Sequence, residues 1–221
     1  MFKRVAIYYS PPPGALETFG ENWLGWSLRR GAQVAQPPDL QAITATPRRY
    51  GFHATLKAPF VLAEGRRLDD LGQSLRQHCA GVAPVDLPGG LRPVACHGFL
   101  ALRPAQQTAA LRQLAAGLVR ALDPYRAPLS AADRARRDPD RLTPAQRDHL
   151  DRWGYPWIFD DFEFHMTLSG PLPEADLSHW RARAEAALPD LSDPFIISHV
   201  ALVGEDEARR FHLIEEVELA G

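Results

Sequence analysis

Cysteine is nearly missing from this chain: only Cys79 and Cys96 occur in 221 residues, without any paired spacing. That excludes a disulfide framework and gives no support to a thiolate zinc site. Long apolar runs are missing as well. None approaches the ~20 residues of a membrane span, so no membrane partner is expected. Met1-Phe2-Lys3-Arg4 leads straight into an apolar β-rich run, the start expected of a cytoplasmic protein and not of a signal peptide. No excess of one charge is present either. A formal net charge of −2 argues against coating nucleic acid through bulk electrostatics, although a single phosphate could be held in a local pocket. What remains is a chain with 45% hydrophobic residues, ample for a core in one large domain or two intimately packed lobes.

One pentapeptide occurs twice. Phe52-His53-Ala54-Thr55-Leu56 returns as Phe164-His165-Met166-Thr167-Leu168, with four of five letters shared and the histidines 112 positions apart. With 8 His and 7 Thr in the chain, His-x-Thr is expected only about 0.25 times by composition. Each copy alternates apolar and polar residues at period 2, the signature of a strand. His53, Thr55 and Lys57 would share one face of the first strand, and His165, Thr167 and Ser169 one face of the second. The first motif strand is expected from about Tyr50 to Ala58 and the second from about Phe162 to Ser169.

The elements around them repeat too. Val5 to Tyr9 reads as a strand stopped by Ser10-Pro11-Pro12-Pro13-Gly14. Leu16, Phe19, Trp23 and Trp26 recur at helical spacing up to Arg30, and residues 31–48 read as loop. Leu68, Leu71, Leu75 and Cys79 mark a helix, and Val94 to Leu102 a strand. Leu111, Leu114, Leu118 and Leu122 carry a long amphipathic helix. Thr143-Pro144 caps a short one that Gly154 closes. Leu177, Trp180, Ala184, Ala187 and Leu188 give the helix after the second motif. Phe195 to Val203 and Arg210 to Leu219 are expected as the last two strands. Strand, helix, motif strand, helix, strand appears in both halves, as in an internal duplication. The expectation is an α+β fold with lobe one at about 1–92, lobe two at about 93–221 and an exposed, charge-rich connection at about 123–143. Two antiparallel lobes facing each other would bring both His/Thr pairs into one cleft.

Two imidazoles flanking a phosphate suit cleavage of a phosphodiester. One neutral His takes a proton from the attacking water or hydroxyl while the other, protonated, gives one to the leaving oxygen. The unperturbed pKa of His, ~6.5, leaves both forms available near neutrality. His53 and His165 are therefore the candidate catalytic residues, with the Thr55 and Thr167 hydroxyls on non-bridging oxygens and Lys57 offsetting developing charge. Arg48-Arg49 reads either as a phosphate anchor or as a solvated pair, and Arg49 joins the His53 face only if the strand already begins there. The scheme requires no metal or cofactor, and His-x-Thr is not a familiar metal spacing. His78, His97, His149, His179, His199 and His212 have no matched partner and read as structural or solvent-facing. His199 and His212 fall on adjacent expected strands without a visible third ligand. Trp153, Tyr155 and Trp157 read as packing residues ahead of a base-stacking platform.

With both motifs in place the chain resembles the 2H phosphoesterase superfamily, named for two His-x-Thr/Ser motifs on the lobes of a duplicated α+β fold. Arg48-Arg49-Tyr50-Gly51-Phe52-His53-Ala54-Thr55-Leu56-Lys57-Ala58-Pro59-Phe60, Phe162 to Leu168, Tyr8-Tyr9-Ser10-Pro11-Pro12 and Trp153-Gly154-Tyr155-Pro156 are similar to one branch in particular. That branch holds proteins of unknown function associated with phosphonate-utilisation operons. The resemblance implies antiparallel sheets flanked by helices with a central cleft. It also implies opening or hydrolysis of a small phosphodiester without metal. Implied substrates are 2′,3′-cyclic nucleotides, ADP-ribose cyclic phosphate or phosphoribosyl 1,2-cyclic phosphate. An RNA end is a further implied partner, because some members ligate by the reverse chemistry. A non-catalytic module binding a phosphorylated metabolite or RNA end is the competing expectation.

Overall fold

Alternation of apolar residues on both faces of the first strand sets the architecture. In β1 (Arg4–Tyr9), Val5, Ile7 and Tyr9 enter one core while Ala6 and Tyr8 enter a second on the other side. The structure, a computed structural model, describes residues 2–96 and 98–221. After β1 come α1 (Ala15–Leu24), a small hairpin of β2 (Trp26–Ser27) and β3 (Ala32–Gln33), and α2 (Pro38–Thr44). The first motif lies at β4 (Ala54–Phe60), followed by α3 (Leu68–Cys79), β5 (Val85–Leu87), β6 (Leu91–Cys96) and β7 (Phe99–Pro104). Next are α4 (Ala109–Leu122), α5 (Ala131–Ala135) and α6 (Pro144–Trp153), then β8 (Met166–Thr167) at the second motif. The chain closes with α7 (Glu174–Ala187), β9 (Phe195–Ile197), β10 (His199–Glu205) and β11 (Phe211–Glu218). Among the described residues no helix is long and apolar enough to cross a membrane.

Seven strands form one antiparallel sheet in the order β11-β10-β1-β4-β8-β7-β6, so the fold is α+β with both motif strands at its centre. Its helix-side core gathers Ile7, Leu56, Met166, Leu100 and Leu202 with Leu71 and Leu75 of α3 and Leu111, Leu114, Leu118 and Leu122 of α4. All four expected α4 leucines are buried, and the Thr108 side chain accepts from the Leu111 amide at the N-cap. The expected cap of α6 forms as a reciprocal box between Thr143 and Gln146, with left-handed Gly154 ending the helix. On the opposite face Tyr8 and Phe211 pack with Trp26 and Leu28 of the small hairpin.

Several expectations change. The first helix stops at Leu24 because Gly25 turns left-handed, which leaves Trp26 to begin β2 instead of extending the helix to Arg30. Residues 31–48 hold β3 and α2 in addition to loop. The expected strand over Val94 to Leu102 is a hairpin of β6 and β7. The two halves stand side by side in one sheet, meeting at β4 and β8, and the division into about 1–92 and about 93–221 does not follow that sheet. β10 pairs with β1, Ala6 opposite Val203, so the end of the chain completes the first half. Periodicity assigns a residue to a face of a strand but never names the neighbouring strand. β1 is buried on both faces and needs a partner on each edge, and β10, buried at all seven positions, supplies one. The segment at about 123–143 contains α5 between 3₁₀ turns at Asp123–Tyr125 and Pro139–Arg141, and just over half of its residues are exposed.

Candidate active site

The two motifs meet back to back in the sheet. Ala54 lies opposite Met166, and both side chains are fully buried on the helix side. Continuing that antiparallel register by one residue sets His53 opposite Thr167 and Thr55 opposite His165, with all four side chains on the other face. A local two-fold relation thus gathers both His/Thr pairs. The ladder is shorter than the alternation implied, since β4 begins at Ala54 and β8 comprises only Met166 and Thr167. Left-handed Gly51 and the 3₁₀ turn at Pro47–Arg49 break the extended path before the first motif, and the turn at Phe159–Asp161 does so before the second. Each histidine therefore sits one residue ahead of its strand, held by a buried Phe52 or Phe164. Gly20 of α1 makes room for Phe52, because a Cβ there would fall inside the Phe52 ring.

Both imidazoles are oriented the same way. His53 Nδ1 lies 2.9 Å from the Gly51 carbonyl and His165 Nδ1 2.8 Å from the Glu163 carbonyl, each two residues back. A carbonyl only accepts, so each Nδ1 carries the proton and each Nε2 is left for chemistry. His53 Nε2 accepts from the Thr55 hydroxyl at 3.1 Å. Burial pushes the His53 pKa down to about 4, against the pull of the Gly51 carbonyl and with a further push from His165. His165 is also lowered, chiefly by burial, with the Glu163 carbonyl and carboxylate opposing and Arg103 assisting. The Tyr8 ring stacks on His53 at 3.7 Å and 22°.

Lys57 and Arg49 are placed differently from the alternation. The β1 partner steps from Thr55 at Tyr8 to Lys57 at Ile7, a bulge that removes Lys57 from the His53 face. Only 3% exposed, Lys57 donates to the Val119 carbonyl at the end of α4 (3.1 Å) and lies 3.6 Å from Asp123. Its pKa falls to about 8, mainly through burial. Arg49 belongs to the 3₁₀ turn at Pro47–Arg49, not to the strand, whereas Arg48 is occupied by the Leu24 carbonyl and Gln36. Both Lys57 and Arg49 nevertheless line one cavity of about 490 Å³, with Tyr50, Arg126, Arg137 and Tyr155. Trp153 also lines it and Trp157 is exposed, so this aromatic group does not form a core as expected.

Sequence reasoning missed Arg103, Tyr8 and Arg137. Ala101 lies opposite Thr167, and the next step of that register sets Arg103 opposite His165, where it holds the Glu163 carboxylate at 2.8 Å. Arg103 alternates with Ala101 in its strand, but only knowledge of the β7–β8 pairing gives that alternation meaning. Among the described residues no group of three or more His, Cys, Asp or Glu side chains could hold a metal. The register sets His199 opposite Glu218 and His212 opposite Gly204, which separates them by about 17 Å along the ladder. Their Nε2 atoms meet the Ser10 carbonyl and Asp206, so they form no metal pair. His97 lies outside the described residues.

A family model described as "Protein of unknown function (DUF1045)" matches residues 55–212, a span that holds Thr55, Lys57, His165 and Thr167 and begins two residues after His53. Two curated relatives carry the name ribose 1,5-bisphosphate phosphokinase PhnN. The one from Laribacter hongkongensis (strain HLHK9) is 35% identical over 188 residues, covering 83% of this chain and 44% of the relative. The one from Janthinobacterium sp. (strain Marseille) is 37% identical over 182 residues, covering 78% of this chain and 40% of the relative. The chain thus spans less than half the length of these relatives. Among solved structures, E. coli LigT in its apo form superposes with a TM-score of 0.48 at 15% identity, covering 100% of this chain and 99% of that one. A crystal structure of a phosphoesterase gives 0.45 at 16% identity, covering 99% of both. By the match over residues 55–212, this chain belongs to the DUF1045 family of proteins of unknown function.

Proposed function

We propose that this chain is a metal-independent phosphodiesterase that opens or hydrolyses a small cyclic phosphate ester in the cytoplasm by two-histidine general acid–base catalysis. The observation that carries the reading is the pairing of two His-x-Thr segments around Ala54 and Met166, each imidazole fixed through Nδ1 with Nε2 left for chemistry. His53, neutral down to about pH 4, accepts the proton of the attacking water. The water oxygen bonds to phosphorus while one ring P–O bond breaks, and its electron pair leaves with the sugar oxygen. His165 Nε2–H protonates that oxygen, and a phosphomonoester results. Thr55 and Thr167 hydrogen-bond the non-bridging oxygens, with Thr55 exchanging its bond to His53 for one to substrate. Arg49 contacts the substrate from the cavity side, and Lys57 adds positive potential there from its place beside the Val119 carbonyl and Asp123.

Within this class we favour phosphoribosyl 1,2-cyclic phosphate over a 2′,3′-cyclic nucleotide. Breaking its bond between phosphorus and the 2-oxygen leaves ribose 1,5-bisphosphate, the compound in the names of the curated relatives. The chain carries no Gly-x4-Gly-Lys-Ser/Thr phosphate loop, since its two lysines, Lys3 and Lys57, precede Arg4 and Ala58. We therefore assign the kinase activity in those names to the part of the relatives beyond the matched stretch. Substituting His53→Ala or His165→Ala should each lower turnover at least roughly a hundredfold with the melting profile retained. Turnover preserved in both variants would sink the reading.

A further inference from the structure

The cavity beside the motif pair is charged against the trend of the whole chain. Eight lysine and arginine side chains line it against two carboxylates, Asp133 and Glu205, in a protein of net charge −2. Several of these cations are already engaged. Arg4 is bidentate to Glu205, Arg126 is held by Asp123, and Lys57 lies between the Val119 carbonyl and Asp123. Among the described residues, Lys3, Arg49, Arg137 and Arg209 pair with no carboxylate, and two of them lie beside tyrosines of the wall. Arg137 lies over the Tyr155 ring at 4.8 Å, and Arg49 adjoins Tyr50. Neither His53 nor His165 lines the cavity, but Tyr50 on its wall adjoins the motif pair, its ring 6.3 Å from that of His53.

A second observation points the same way. The Tyr8 hydroxyl is fully buried yet has no hydrogen-bond partner among the described residues. Its surroundings are Tyr50, Arg4, Glu205 and Tyr155, all four on the cavity wall. Two guanidinium groups free of carboxylates beside two cavity-lining phenols, with an orphan hydroxyl nearby, form a setting that stabilises a dianion.

We propose that this cavity is a subsite for a second phosphate of the substrate, so that the preferred ester is a cyclic phosphate that also carries a phosphomonoester. The monoester dianion accepts from Arg137 and Arg49, both on the cavity wall, while the strained ring lies over His53 and His165. Lys57 and Arg126 hold the wall between them at positive potential without leaving their carboxylate. The inference rests on the phosphodiesterase reading for the identity of the substrate, but anion binding in the cavity does not depend on turnover.

Two measurements separate these points. Calorimetric titration with ribose 5-phosphate should show binding to the intact chain, with ribose alone giving none. Arg137→Gln and Arg49→Gln should each weaken that binding at least roughly tenfold, while their thermal melts match the parent. The second measurement compares kcat/KM for a 2′,3′-cyclic nucleotide with and without a 5′-phosphate. The parent should prefer the phosphorylated compound by roughly ten- to a hundredfold, and that ratio should collapse in both variants. Equal ribose 5-phosphate affinity in parent and variants, or no preference by the parent, overturns the subsite. If no cyclic ester is turned over while both variants still lose ribose 5-phosphate, the catalytic reading fails and the subsite stands.

Discussion

The pH dependence of kcat/KM follows from how the two histidines are buried. In the proposed mechanism the reactive form has His53 neutral and His165 protonated. His53 loses its proton at about pH 4 because burial penalises the imidazolium, so the base is ready across the neutral range. His165 is the limiting partner, since burial lowers it from the ordinary imidazole value of ~6.5. Above that lowered pKa, kcat/KM should fall about tenfold per pH unit, with the optimum below about pH 6.5. Its neighbours give the test direction. Arg103 pushes His165 down and Glu163 pulls it up, so Arg103→Gln should move the alkaline limb up and Glu163→Gln should move it down. Both groups are partly exposed, and screening should keep each displacement below about one pH unit. A 2′,3′-cyclic nucleotide without a second phosphate is the substrate to use, because a monoester titrates near pH 6 and would add its own limb. A kcat/KM flat to about pH 8.5, or limbs moving opposite to these signs, would refute the assignment of His165 as the acid.

Three further outcomes test the packing around the site. Tyr8→Phe removes a buried hydroxyl that has no partner among the described residues, and should raise the unliganded protein's stability by about 1 kcal/mol or more by thermal or urea melts. A loss of stability would mean that the hydroxyl is satisfied after all. Gly20→Ala drives a methyl into the Phe52 ring and should cost about 1–3 kcal/mol. Activity should fall with it, because Phe52 fixes the approach to His53; an unchanged kcat would argue that His53 is held by other contacts. His53→Gln should flatten the acid dependence of stability. Unfolded His binds a proton near pH 6.5 and the folded one only at about 4, so the parent's stability is intact above 6.5 and falls as pH drops towards 4. The loss amounts to at most about 3 kcal/mol. Urea midpoints that track each other in parent and variant through this range would contradict the burial argument.

Local chemistry was legible in the chain to the extent that it is recorded locally. The four α4 leucines, the Thr143 cap and the two His-x-Thr faces depend on residues within one element, and periodicity or cap chemistry reveals them. The pairing of β10 with β1 was not legible, because long-range strand partners leave no periodic trace. Lys57 went astray for a related reason: a bulge shifts every later residue to a new face, and no Gly or Pro in Thr55-Leu56-Lys57 announces it. Arg103 and Arg137 enter the site from other segments altogether, through the β7–β8 pairing and through the stretch after α5. The four motif residues were recognisable because the chain repeats them; the residues that would choose the substrate occur once.

The most direct test of the central claim is phosphorus NMR of the chelator-treated protein with a mixture of phosphoribosyl 1,2-cyclic phosphate, 2′,3′-cyclic nucleotides and ADP-ribose 1″,2″-cyclic phosphate. The account predicts loss of one strained-ring resonance and growth of one monoester signal, at a rate that His53→Ala and His165→Ala each reduce at least roughly a hundredfold. Strained-ring resonances that all persist, with one merely broadened by binding, would contradict it and leave the site a receptor for phosphorylated metabolites.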